Sequence, residues 1–136
     1  MVFFYGLFMD ESLLRSKGIR PFQRALGHVD GYRLRIGRRA TLETEPASRA
    51  YGVVMTLGRE DLARLYSDDT VSDYVPETVP VTLASGVIDS AVCYVLPPGK
   101  LEGTHAAYAD SLLLLATRLG FPGNYLDEIR AEGDLE

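Results

Sequence analysis

A chain of 136 residues, 46% hydrophobic with 13 glycines and 7 prolines, can bury one core without disulfides or metals, and a single domain over residues 1–136 is expected. Its formal net charge of −5 argues against a general nucleic-acid binder, which needs a concentrated positive field, and its one cysteine excludes a disulfide framework. The apolar opening from Val2 to Phe8 is too short to span a bilayer, has no basic leader and is cut off by Asp10 and Glu11, so a cytoplasmic protein without a membrane segment is expected.

The aromatic run Val2 to Leu7 reads as a strand that breaks at Gly6 and passes at once into the helix-like Glu11 to Lys17. Backbone N–H groups at such a break can face a ligand, and anions or developing oxyanions suit them. Further strands are expected at Ala25 to Ile36, with a break near Gly31, at Ala40 to Glu43 and at Arg49 to Leu57, with Glu43 to Ser48 as a loop. A short helix from Arg59 to Tyr66 precedes an acidic turn. The strands Val75 to Leu83 and Val87 to Leu96 follow, paired through Ala84-Ser85-Gly86, and Val79 to Leu83 alternates between a buried and a wetter face. After a loop at 97–103, Tyr108, Leu112, Leu115 and Leu119 recur at helical spacing, with Thr104 as a cap and Gly120 as a stop. A last helix covers about Asn124 to Ala131, and the acidic tail from Ala131 is expected to fray. This order of elements indicates an α+β fold, a small mixed β-barrel or strongly curved sheet with a few flanking helices.

Nucleotide-binding, dinucleotide and nucleophile-elbow motifs are absent, and His28, His105 and Cys93 are too few for a metal site or a Cys-His pair, so neither metal nor cofactor is expected. Cys93 reads as a small buried apolar residue, His28 as packed and His105 as solvated. Carboxylates remain. The turn from Tyr66 to Tyr74 carries Asp68 and Asp69; its composition is that of a surface loop, because Ser and Asp favour turns for local reasons. The sharper reading is that two adjacent carboxylates beside Tyr66 and Tyr74 raise one acid's proton affinity, as a general base working near neutrality needs. Arginines gather between Arg15 and Arg49, either as complementary surface charge or to receive a carboxylate-bearing substrate.

Tyr5-Gly6 at the end of the first strand, Tyr51-Gly52-Val53-Val54, the run from Asp61-Leu62 to Leu65 before the acidic turn, and Gly120-Phe121-Pro122 through Tyr125 resemble the gamma-glutamylcyclotransferase-like family along nearly the whole chain. That resemblance implies the barrel-like fold and a binding loop in which amides of Tyr5, Gly6, Leu7, Phe8 and Met9 receive the glutamyl group, with Tyr74 and Tyr125 walling the pocket. It also implies cofactor-independent cyclisation of a small gamma-glutamyl compound to 5-oxoproline with release of an amine or amino acid. Two positions depart from the family pattern. Leu7 stands where the family has Ser or Thr, and the family's catalytic Glu is replaced by Asp: Asp69 when counted forward from Leu65, Asp68 when counted back from Tyr74. An aspartate is shorter by one methylene, about 1.5 Å. These departures leave a second reading open, a small-molecule-binding or interaction protein on the same fold without efficient turnover. The oligomeric state is not legible.

Overall fold

A computed structural model describes residues 1–97, 99–101 and 106–133. The expected cap at Thr104 and the solvated His105 lie outside the described residues, as does the tail at 134–136. Five strands, β1 (Val2–Phe4), β2 (Phe22–Ile36), β3 (Ala40–Thr56), β4 (Val75–Leu83) and β5 (Ile88–Val95), close into a barrel in the order β1-β3-β2-β4-β5. Helices α1 (Glu11–Ser16), α2 (Arg59–Leu65), α3 (Ala106–Leu119) and α4 (Gly123–Gly133) accompany it. The barrel is mixed: β1 runs parallel to β5 at Val2↔Val92 and antiparallel to β3, and the remaining pairs are antiparallel. The expected α+β barrel with flanking helices is what forms.

β1 consists of three fully buried apolar residues, so it fits between β3 and β5 only where their backbones come close. Gly52 makes that possible. A Cβ there would lie 2.2 Å from the Phe4 carbonyl oxygen and 2.6 Å from the Phe3 ring, closer than any side chain tolerates. On β4 the expected alternation holds: Val79 and Val81 are buried and Pro80 is exposed, and the β4–β5 hairpin turns through Gly86.

The segment expected as a loop, Glu43 to Ser48, instead lies inside one long strand, β3. The ladder pairs Tyr32 with Thr44 and Asp30 with Arg49, so Gly31 on one strand and residues 45–48 on the other leave the register as a bulge. Loop-like composition therefore marks an irregularity within a hairpin and not the end of a strand. The first strand is also shorter than expected. It stops at Phe4, and Leu7 belongs to a 3-10 turn, Leu7–Met9. Asp10 then caps α1 by accepting the Ser12 amide at 2.9 Å.

α3 buries Ala109, Leu112, Leu115 and Ala116 and ends at Gly120, whose φ of 81° is a left-handed stop. α4 extends past Ala131, where fraying was expected, because Glu132 is buried. Its Oε1 accepts the Ile36 amide at 2.9 Å and Arg35 Nε at 3.1 Å, and Arg33 Nη2 stands 3.7 Å from Oε2. This carboxylate fastens the last helix to the end of β2. Among the described residues, no helix is long and apolar enough to cross a membrane.

Candidate functional site

Where β1 ends, Tyr5 is buried and its hydroxyl donates to the Tyr94 carbonyl at 2.6 Å. Gly6 follows in extended geometry, φ −112° and ψ −151°. That conformation is open to any residue, so what glycine contributes here is the missing Cβ, which would otherwise sit 2.6 Å from the Tyr108 hydroxyl. The 3-10 turn is closed by bonds from the Met9 amide to the Gly6 carbonyl, 3.1 Å, and from the Asp10 amide to the Leu7 carbonyl, 3.0 Å. Neither bond uses the amides of Leu7 and Phe8. The Leu7 amide donates to the Tyr108 hydroxyl at 3.3 Å.

This bend forms one wall of a cavity of about 310 Å³, a size suited to a small molecule. Leu13 and Lys17 approach from α1 and its end, Arg38, Arg39 and Ala40 from the β2–β3 turn, and Tyr108 from α3. Leu65 and the loop after α2 contribute Tyr66, Asp68, Thr70, Val71 and Tyr74. The loop is pinned. Arg39 grips the Asp73 carboxylate with both terminal nitrogens, 2.5 and 3.0 Å, donates to the Thr70 carbonyl at 2.8 Å, and lies 5.4 Å from the centre of the Tyr74 ring. The Tyr74 hydroxyl donates to the Ala40 carbonyl. Burial pushes the Tyr66 and Tyr74 hydroxyls above their ordinary range and Tyr108 up to about 12, so all of them stay protonated at neutral pH.

Of the two candidate acids, Asp68 lines this cavity, whereas Asp69 lines an adjoining depression with Arg38, Arg39, Asp73 and Lys100. The Asp68 carboxylate accepts the Thr70 amide at 2.9 Å and the Thr70 hydroxyl at 2.7 Å. These bonds hold its carboxyl below the usual range, with a smaller contribution from Lys17. For Asp68 the direction is opposite to the raised proton affinity expected of one acid of the pair: it is exposed and stabilised as the anion. Asp73, missed as a candidate, is also held low, by Arg39.

Of the residues expected to bind substrate, Tyr5, Gly6, Leu7, Phe8 and Tyr74 line the cavity. Met9 does not, since it is buried in the core. Nor does Tyr125, whose buried ring packs on Tyr51 and Phe121 and whose hydroxyl lies 3.4 Å from the Tyr51 carbonyl oxygen beside a separate polar depression. Lys17, Arg38, Arg39 and Tyr108 are among the contributors that local sequence patterns did not single out. Of these, only the gathering of arginines gave a signal.

His28 packs on Tyr51 at 5.6 Å between ring centres, and burial lowers its pKa. The Cys93 thiol is buried and raised to about 12. Among the described residues, no group of three or more His, Cys, Asp or Glu side chains is arranged to hold a metal ion. The cavity thus brings together cationic side chains, a hydrogen-bonding bend, aromatic rings and the Asp68 carboxylate.

Residues 2–111 match the family model for gamma-glutamyl cyclotransferase, AIG2-like proteins. Among solved structures, a gamma-glutamyl cyclotransferase superposes with a TM-score of 0.77 at 19% identity, covering 96% of this chain and 85% of that one. YkqA from Bacillus subtilis gives 0.79 at 19% identity over 98% of this chain, which spans about half of YkqA (54%). A yeast gamma-glutamyl cyclotransferase described as specific to glutathione gives 0.63 at 13% identity, with 98% and 96% covered. At such identities these likenesses speak to the fold alone. No curated protein matches the chain by sequence.

Proposed function

The chain belongs to the gamma-glutamyl cyclotransferase, AIG2-like family, and from that premise we propose that it converts a small γ-glutamyl compound to 5-oxoproline in the cytoplasm. The observation that carries this reading is that Asp68 and the bend at Gly6, Leu7 and Phe8 line the same cavity. The reaction joins the substrate's α-nitrogen to its own γ-carbonyl carbon and breaks the γ-carbon–nitrogen bond. Nucleophile and electrophile share one molecule, so the protein chiefly has to fold the substrate and move protons. Asp68 takes a proton from the α-ammonium and returns it to the departing nitrogen. The ammonium sheds two protons in all and the leaving amine gains two, so neither water nor a net proton is consumed. Arg38 and Lys17 at the rim attract the α-carboxylate, and a preorganised amide at the bend stabilises the developing oxyanion by about 3 kcal/mol.

A second reading, a binding protein without efficient turnover, is favoured by one observation. The Thr70 hydrogen bonds make Asp68 a weak base and turn it toward its own loop. Incubation with a panel of γ-glutamyl amines and amino acids, with 5-oxoproline followed by mass spectrometry, separates the two. The catalytic reading requires turnover that Asp68→Asn abolishes and Asp69→Asn largely retains. Equal activity in both variants and in the double variant would defeat it. Ligand-induced thermal stabilisation without turnover would support the binding reading.

A further inference from the structure

The lining of the cavity is of two chemical kinds. Beside the charged and polar Lys17, Arg38, Asp68 and Thr70, the lining carries the apolar side chains of Phe8, Leu13 and Leu65 and the ring of Tyr66. Phe8 meets Phe4 and Tyr66 edge-on, each at 5.9 Å between ring centres, so these three rings form one apolar patch. Phe8, Leu13 and Tyr66 line the cavity and are only half-buried, so they keep apolar area that a guest can cover.

A γ-glutamyl group has a carboxylate and an ammonium at one end, an amide carbonyl at the other, and two methylenes between them. Its charged end suits Arg38 and Lys17, and it has too little hydrocarbon to cover the apolar lining as well. We infer that the preferred substrates are γ-glutamyl compounds whose leaving amine carries a branched aliphatic or aromatic side chain, seated against Phe8, Leu13 and Tyr66. This rests on the cyclotransferase reading of the cavity. Leu7 fits the same logic: its half-buried side chain lines the cavity where a hydroxyl would have favoured a polar group.

The test compares kcat/KM for γ-glutamyl-glycine, γ-glutamyl-glutamine, γ-glutamyl-leucine and γ-glutamyl-phenylalanine. The leucine and phenylalanine compounds are expected to exceed the glycine and glutamine compounds by about 10-fold or more, the discrimination typical of an apolar pocket. Leu13→Asn should shrink that ratio several-fold and Leu13→Met should restore it, a pattern that general loss of folding cannot mimic. Turnover of all compounds at similar efficiency, or a preference for glycine or glutamine, overturns the inference and leaves the cyclotransferase reading intact. If none is turned over, that reading fails while the inference is judged by thermal stabilisation with the same compounds. Larger shifts with leucine and phenylalanine support it, and equal or absent shifts overturn it.

Discussion

The Tyr108 hydroxyl on α3 and the Leu7 amide in the first bend are joined by a hydrogen bond of 3.3 Å, across a spacing of 101 residues. The contact depends on Gly6, since a Cβ at that position would lie 2.6 Å from the same hydroxyl. Late helix and early turn therefore share one small volume, and the shape of the cavity's wall depends on both.

Gly6→Ala should destabilise the protein by about 1–3 kcal/mol through overpacking, and Tyr108→Phe by about 1 kcal/mol through loss of the hydrogen bond. In the Tyr108→Phe background the added methyl has no hydroxyl to meet, so the double variant should be more stable than the sum of the single changes predicts, by about 1 kcal/mol. Urea denaturation of the four proteins checks this. Strict additivity would mean that the two residues do not share that space.

Gly52→Ala should cost more, about 3 kcal/mol or above, because the obstacle is the Phe4 backbone oxygen at 2.2 Å and not a movable side-chain tip. Gly58→Ala, at the N-cap of α2, is the comparison, with nothing within 4 Å of its added methyl and only the modest cost of alanine at a cap. A comparison of urea midpoints should leave Gly58→Ala near wild type and move Gly52→Ala far below it.

Glu132→Ala should destabilise by about 2 kcal/mol, since it strips the acceptor from the Ile36 amide and from Arg35. Arg35 and Arg33 remain partly hydrated, which limits the loss. Glu132→Gln keeps an acceptor for the amide and should lose less. Thermal denaturation that ranks wild type above Gln and Gln above Ala bears this out.

Acid should weaken the protein through Asp73 and Asp68. Both carboxyls are held low in the folded state, by Arg39 and by Thr70 respectively, so the folded protein binds their protons less readily than the unfolded chain does. Their stabilisation is complete above the unfolded carboxyl range and is lost as pH falls through the folded values, between roughly pH 5 and pH 1. Asp73→Asn should flatten the fall of Tm over that window; an unchanged slope would show that the Arg39 pair contributes nothing. The same sign applies to activity, so the acidic limb of kcat/KM should lie below the usual carboxylate range.

Much of this architecture is legible locally. The alternation at Val79 to Leu83, the turn at Gly86, the leucine spacing of α3 and its stop at Gly120 each follow from short-range rules and form as those rules require. What sequence spacing obscures is long-range. The bulge at residues 45–48 looks like a loop because strand continuity there depends on pairing with β2. Glu132 looks like part of a frayed tail because its partners are about a hundred residues earlier. In the site, the bend and Tyr74 were readable from local pattern and family likeness. The choice between Asp68 and Asp69 was not, since adjacent residues in an irregular loop diverge according to which hydrogen bonds the turn makes. Lys17 and Tyr108 reach the cavity from separate helices, and no short-range pattern links them to it.

Closure of the barrel also carries a consequence for how the chain is made. β1 is synthesised well before either neighbour, yet it must lie between β3 and β5, with Val2 opposite Met55 on one side and Val92 on the other. Until β5 has emerged, Val2, Phe3 and Phe4 have an unfilled flank, and the binding bend that hangs from them has no fixed place. Three buried apolar residues thus wait for the rest of the barrel, and the cavity cannot be completed before Tyr108 on α3 has followed β5.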